Sequence, residues 1–222
     1  MAKEAHGAVI FDMDGVMVQT APQHFAAWRH VFAEMGREFS KEEFRATFGR
    51  RNQEILRHIL GDGISEVQVE VLGRKKEEHY RALVRGEVEA APGFIPLLEA
   101  LRDNEFKIAV GTSAPRQNVE LILDVLSVRE RLDVVVTAED VDRGKPDPET
   151  FLLAAQRCNI EPKGCVVFED SVAGIEAARA AGMRCIGVGR ADIAQADLMV
   201  DSLAKVTIPL VRSLLDREGN YR

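Results

Sequence analysis

Two aspartates separated by a single residue, Asp12 and Asp14, stand directly after the apolar run Ala8-Val9-Ile10-Phe11 and directly before Gly15. Like charges this close repel, so the pair needs a reason to be there. A hard cation such as Mg²⁺ supplies one, because it takes carboxylate and carbonyl oxygens and keeps water positions open for a phosphate. A solvated strand-to-loop turn supplies the other, because Asp is a common turn residue. The spacing alone leaves both readings open.

Three more stretches carry groups of related chemistry. Thr112 and Ser113 follow Val110-Gly111, Lys145 sits between Gly144 and Pro146, and Glu169 and Asp170 follow Val166-Val167-Phe168. A pair of acids, a pair of hydroxyls, a cation and a second pair of acids make up the kit of phosphoryl transfer. That reaction needs an in-line nucleophile, a divalent ion and donors for the equatorial oxygens. An Asp carboxylate can serve as the nucleophile and form an aspartyl-phosphate. A second carboxyl two residues on can protonate the leaving alcohol and then deprotonate the attacking water. Each residue also has a plainer reading: Thr112 as a helix cap, Lys145 as an exposed loop lysine, Glu169 and Asp170 as helix-start acids facing a dipole.

For these side chains to meet, the apolar runs before them must be parallel strands whose carboxyl ends share one edge. The pattern supports this. Short apolar runs at 8–11, 107–111, 133–137, 165–168, 184–188 and, more weakly, 198–200 alternate with helical periodicity at 94–102, 117–126, 151–158, 175–181 and 208–215. Such alternation predicts an α/β fold, a doubly wound and mostly parallel Rossmann-like sheet with right-handed crossovers, and ligands in the crevice at the carboxyl edge. Between Val18 and Ala90 there is no strand pattern. Helical spacing at 22–35, a capping box at Ser40 and Glu43, and further helices at 52–60 and 65–84 predict an all-helical cap domain, 19–88, inserted into a core of 1–18 and 89–222. A piece joined by two short connections directly after the acidic turn is placed to open and close over it.

The totals exclude several classes. Apolar residues make up 46% and charged residues 29% of 222, an ordinary globular composition. The net charge of -7, with no long Lys/Arg cluster, argues against a nucleic-acid partner. No apolar run approaches the length of a membrane span and no charged-then-apolar leader opens the chain, so no membrane association and a cytoplasmic location are expected. Cys158, Cys165 and Cys185 form no C-x-x-C pair and are expected to pack as small hydrophobes.

Phe-Asp-Met-Asp-Gly-Val, Gly-Thr-Ser-Ala, Gly-Lys-Pro-Asp-Pro-Glu and Phe-Glu-Asp-Ser-Val-Ala-Gly-Ile-Glu-Ala-Ala resemble, in order, the four motifs of the haloacid dehalogenase superfamily. The resemblance spans nearly the whole chain, including the helical cap, and is strongest to the β-phosphoglucomutase-like phosphatases. It implies Asp12 as nucleophile and Mg²⁺ ligand, and Asp14 as general acid and base whose backbone carbonyl also reaches the metal. Thr112, Ser113 and Lys145 are then phosphate-binding, and Asp170 with Glu169 completes the metal site. Dehalogenase and phosphonatase members lack an acid at the Asp14 position, which argues against those two chemistries.

The cap is expected to choose the substrate. His24 resembles a mutase cap histidine that helps position the acid, and Lys76 a mutase cap lysine. Asn52, however, falls where the mutase carries the arginine that grips a second phosphate, with Arg50 and Arg51 adjacent. A mutase must hold a bisphosphate at both ends. The expectation is therefore a Mg²⁺-dependent phosphatase acting on a small phosphorylated metabolite, sugar-phosphate-like, through an aspartyl-phosphate. β-Phosphoglucomutase, an isomerase, is the alternative, and the protein is expected to be a monomer or weak dimer. A solvated helix face is the plain reading of Arg50, Arg51 and Lys76.

Overall fold

The computed structural model describes residues 5–85, 88–189 and 195–216. Six strands form one wholly parallel sheet in the order β3-β2-β1-β4-β5-β6. They are β1 Ala8–Phe11, β2 Lys107–Gly111, β3 Val134–Val136, β4 Cys165–Glu169, β5 Arg184–Val188 and β6 Leu198–Val200. β1 is central: its four residues pair in register with 107–110 of β2 on one side and 165–168 of β4 on the other. All four are fully buried, which is why the run reads as continuously apolar.

Strand residues alternate between two apolar layers, as a period of two requires. Val9, Phe11, Ile108, Val110, Val166 and Phe168 face one layer, which contains residues of α5 (Phe94–Asp103), α6 (Arg116–Leu126) and α9 (Ile208–Leu215). Ala8, Ile10, Ala109, Cys165, Val167 and Cys185 face the other, against α7 (Glu149–Cys158) and α8 (Val172–Ala180). Helices on both faces make the sheet doubly wound, as expected. All three cysteines are buried and free; burial pushes the thiols of Cys158 and Cys165 up to about 11 and about 12, so they stay protonated and pack as hydrophobes.

Between β1 and α5 the described residues hold only helices: α1 Ala21–Glu34, α2 Lys41–Thr47, α3 Asn52–Leu60 and α4 Glu66–Val84. They have an apolar cluster of their own, Trp28, Phe32, Phe39, Ile55, Leu56 and Val69. The Ser40 and Glu43 capping box forms, and a second one joins Ser65 to Gln68. The two connections to the sheet run side by side, through an isolated antiparallel bridge between Val18 and Ala90 and a 2.7 Å bond from Ala91 N–H to the Met17 carbonyl. No described helix is long and apolar enough to cross a membrane.

Several element bounds shift by one to three residues from the sequence reading, and two of the shifts have a visible cause. β3 stops at Val136 because Thr137 leaves the ladder to cap the turn that follows, its hydroxyl and N–H donating to Asp140 at 2.7 and 2.9 Å. α8 begins at Val172 rather than at Ile175, because the Ser171 hydroxyl accepts the Gly174 N–H at 3.0 Å and starts the helix early.

Candidate active site

Every sequence-selected core residue lies at the carboxyl edge of the sheet. Asp12 and Asp14 leave β1, Thr112 and Ser113 leave β2, Glu169 and Asp170 end β4, and Lys145 comes in from the long segment after β3. Lys145 is 1% exposed, so the exposed-loop reading fails for it. Its ammonium donates to Asp12 Oδ1 and to Glu169 Oε1, each at 2.6 Å. Glu169 Oε2 accepts the N–H groups of Asp170 and Ser171 at 2.8 Å and the Ser171 hydroxyl at 2.9 Å. Both oxygens of Glu169 are thus engaged in bracing Lys145 and the turn. The helix-start reading of Glu169 is in part right, but the helix it serves belongs to the site.

The electrostatics of Asp12 follow from burial and crowding. Burial raises its carboxyl, Lys145 lowers it and Glu169 raises it, leaving it near about 7 instead of the ordinary 3.8. Asp170 is raised well above its usual range by burial and by the charges of Glu169, Asp12 and Asp14. Lys145 is driven up on balance, since Asp12 and Glu169 outweigh the opposing effect of burial. Asp12, Glu169 and Asp170 offer oxygens within 4.8 Å of one another, and Asp170 Oδ1 has no hydrogen-bond partner among the described residues. Three buried carboxylates facing one ammonium leave two charges uncompensated when all ionise. That charge, the oxygen donor set and the unpartnered Asp170 oxygen fit a divalent hard cation. Gly15, at φ +90°, is required where the chain crosses this cluster: a Cβ there would fall 1.9 Å from Asp170 Oδ2.

Asp14 looks the other way. Its Oδ1 receives the Thr20 hydroxyl, the Tyr80 hydroxyl at 3.1 Å, and lies 3.0 Å from His24 Nε2. Burial would raise this carboxyl, but the neighbouring His24 imidazole, the Thr20 hydroxyl and the charge of Lys76 outweigh it and hold Asp14 down to about 2. Burial and the nearby Asp14 push the Tyr80 phenol up, so Tyr80 remains a donor. His24 stacks on Tyr80 with ring centroids 3.9 Å apart. The side chain of Asp14 thus takes its partners from the helical insertion and from Thr20 at its start.

A chamber separates sheet edge and insertion, lined by Asp12, Asp14, Thr112 and Ser113 below and by His24, Phe48, Arg50 and Asn52 above. The helix-cap reading of Thr112 fails: the residue before α6 is Pro115, and the Thr112 hydroxyl instead accepts the Ala114 N–H at 3.1 Å. Ser113 Oγ is buried with no partner among the described residues. The Arg50 guanidinium donates no hydrogen bond among those residues and borders the chamber. Arg51 does not. Its guanidinium donates to the carbonyls of Asp142, Ala138 and Val141 at 2.6 to 2.9 Å, which fastens α3 to the segment leading to Lys145. Asn52 and Lys76 are also committed: Asn52 Nδ2 donates to Glu77 Oε1 at 2.6 Å, and Lys76, 3% exposed, donates to the same oxygen at 2.7 Å and meets His24 Nδ1 at 2.8 Å. The solvated-face reading therefore fails for Lys76.

Thr20, Tyr80, Glu77 and Asn118 were not singled out from sequence. Tyr80 carried a usable signal, four residues after Lys76 on one helix face. Gly174 carried another. A Cβ at Gly174 would fall 1.8 Å from Glu169 Oε1, so the glycine makes room for the brace.

A family model of haloacid dehalogenase-like hydrolases matches residues 6–182. The fructose-1-phosphate phosphatase YqaB of Escherichia coli is 36% identical over 187 residues, 83% of this chain and 97% of that protein. A β-phosphoglucomutase of Bacillus subtilis is 32% identical over 212 residues, 92% of this chain and 93% of that protein. Among solved structures, β-phosphoglucomutase of Clostridium difficile superimposes with a TM-score of 0.87 at 28% identity, covering 94% of this chain and 96% of that one.

Proposed function

The chain belongs to the haloacid dehalogenase-like hydrolases, and from that membership we propose that it is a Mg²⁺-dependent phosphatase that cleaves a small, sugar-phosphate-like monoester through a phosphoaspartate on Asp12. The observation that carries this is the division of labour between two aspartates one residue apart, Asp12 held by Lys145 in the sheet domain and Asp14 held by Thr20, His24 and Tyr80 from the helical side.

In this reading residues 19–88 are a cap over a core of 1–18 and 89–222. Asp12, Asp170, the Asp14 carbonyl and Glu169 would hold the metal, which when bound neutralises charge on the phosphoryl group and on Asp12. Asp12 attacks phosphorus, Asp14 gives its proton to the departing ester oxygen, and the alcohol leaves. Lys145, Thr112 and Ser113 hold the equatorial oxygens. In the second half, Asp14 takes a proton from the water that attacks phosphoaspartate. The donors around Asp14 favour its ionised, base form, and a bound phosphate brings the negative charge that raises its carboxyl into the acid role.

Similarity to β-phosphoglucomutases of Bacillus subtilis and Clostridium difficile supports isomerisation as a second reading. Against it, Asn52 is bound to Glu77 and Arg51 to core carbonyls, which leaves Arg50 to meet a second phosphate. The test is phosphate release from a panel of sugar and nucleotide monophosphates with Mg²⁺ and with chelator, following glucose 6-phosphate formation from β-glucose 1-phosphate in parallel. Chelator-sensitive free phosphate supports the hydrolase; glucose 6-phosphate with little free phosphate supports the mutase; neither product refutes both.

A further inference from the structure

Resting on the phosphatase reading, a second set of buried polar contacts connects the two sides of the chamber. Asn118, on α6 of the sheet domain, is 0% exposed, and its amide is gripped at both ends by α4 of the insertion. Its Nδ2 donates to Glu77 Oε2 at 2.5 Å, and its Oδ1 accepts from Arg81 Nη1 at 3.0 Å. Glu77 and Arg81 lie one helical turn apart, so a single core amide reads the register of α4. Leu121, one turn further along α6, packs against the cluster of Ala27, Tyr80 and Val84.

Glu77 passes this contact on. Its other oxygen accepts from Lys76, whose ammonium has only hydrogens to offer and therefore meets His24 Nδ1 as an acceptor. The imidazole hydrogen is then on Nε2, the atom 3.0 Å from Asp14. The path Asn118, Glu77, Lys76, His24, Asp14 begins in the core, crosses the insertion and returns to the core. Without Glu77, Lys76 would be a buried cation with no carboxylate bonded to it and no reason to stay against the imidazole.

We propose that Asn118 and Glu77 are positioning residues: they clamp the insertion to the core with Lys76 and His24 seated against Asp14, so that Asp14 delivers its proton only in the closed arrangement. In the step concerned, the Asp12 oxygen forms its bond to phosphorus as the ester P–O bond breaks, and the Asp14 proton passes to the departing oxygen. An alkoxide needs that proton. A nitrophenolate does not, because it is stable as an anion.

The experiment measures kcat/KM, which covers steps up to the departure of the alcohol, for fructose 1-phosphate and for 4-nitrophenyl phosphate. The enzymes are wild type, Asn118→Leu, which keeps bulk without an amide, and Glu77→Gln, which keeps shape without charge. The expected result is a loss of about tenfold or more on the alkyl ester and about threefold or less on the nitrophenyl ester for each folded variant, a fraction of what general acid catalysis is worth. Equal losses on both esters would mean a merely structural role, and no loss would mean no role; either overturns the proposal. Should Asn118→Leu fail to fold by circular dichroism, Glu77→Gln and Arg81→Leu carry the same comparison. Wild type that cleaves neither ester would instead overturn the phosphatase reading, and the proposal with it.

Discussion

Replacing Lys145 by methionine isolates the electrostatics of the acidic cluster, because the two side chains have similar reach and only the charge and its hydrogen bonds are lost. Lys145 sits 2.6 Å from both Asp12 and Glu169, fully enclosed, with the Phe151 ring centroid 4.6 Å from its nitrogen. Removing one partner of a buried ion pair costs about 3–5 kcal/mol, and in a chain of this size each kcal/mol moves Tm by about 2–4 °C. Near pH 8, in chelator, Tm should therefore fall by roughly 6–20 °C. The loss should depend on pH. Asp12 already stands at about 7 against an ordinary 3.8 with Lys145 holding it down, so without Lys145 it stands higher still. A carboxyl raised in the folded state binds more protons folded than unfolded, so its penalty grows as pH rises from the ordinary value through the raised one. Near pH 5 Asp12 is protonated in the variant, and the gap to wild type should shrink to about half or less. Thermal unfolding followed by circular dichroism at both pH values decides the matter. A gap that is the same at both, or larger in acid, refutes the account of Lys145 as the counter-charge of Asp12.

Asp12→Asn should abolish phosphate release, whereas Asp14→Ala should remove most of it and let a phosphorylated protein accumulate, visible by intact mass as one added phosphoryl group; full turnover in either variant would remove that residue from the chemistry. Gly174→Ala places a methyl where Glu169 Oε1 now lies and should displace the brace of Lys145, lowering kcat by about 100-fold or more while KM changes little, whereas unchanged kcat would show the brace to be dispensable. Arg51→Ala should lower Tm and shift KM for sugar and nitrophenyl esters alike, since its three acceptors are core carbonyls; a KM rise confined to the sugar ester would make Arg51 a substrate contact after all.

What could be read from the sequence follows from what a parallel sheet does. Each chemistry-bearing core residue directly follows an apolar run or, for Lys145, lies in the loop after one, and parallel strands place all such positions at one edge whatever lies between them. That is why Asp12, Thr112, Lys145 and Asp170 are identifiable although Asp12 and Lys145 stand 133 positions apart. The sequence places the start of α8 three residues late because Val172-Ala173-Gly174 carries no amphipathic signal, and only the Ser171 cap marks its start. The polar contacts of the insertion were largely illegible. Glu77, Arg81 and Asn118 occupy unremarkable helix positions, and their significance comes from an approach of α4 to α6 that no local period encodes. Arg51 misled for a related reason: an arginine beside a chamber and an arginine fastening a loop look alike until the acceptors are known.

Asp12 and Asp14 share a strand end and an almost identical local sequence, yet their carboxyls are displaced in opposite directions, one up to about 7 and the other down to about 2. Nothing in the strand end distinguishes them; the difference comes from which body supplies the neighbours. The charged partners of Asp12, Lys145 and Glu169, belong to the sheet side, so they stay in place whatever the insertion does. The groups around the Asp14 carboxyl are the Thr20 and Tyr80 hydroxyls and the His24 imidazole, so moving α1 and α4 away removes them together. An open enzyme would then keep its nucleophile and phosphate grip but lose the tuned acid and base. Phosphoryl transfer to Asp12 and hydrolysis of phosphoaspartate both require that second carboxyl, so opening would slow both steps while leaving phosphate binding largely intact. A mutase needs a long-lived phosphoaspartate that survives substrate exchange, and a phosphatase needs it gone. If Asn118 and Glu77 position Asp14 as proposed, the firmness with which α4 is clamped to α6 while water is present bears on that choice alongside the contacts left for a second phosphate.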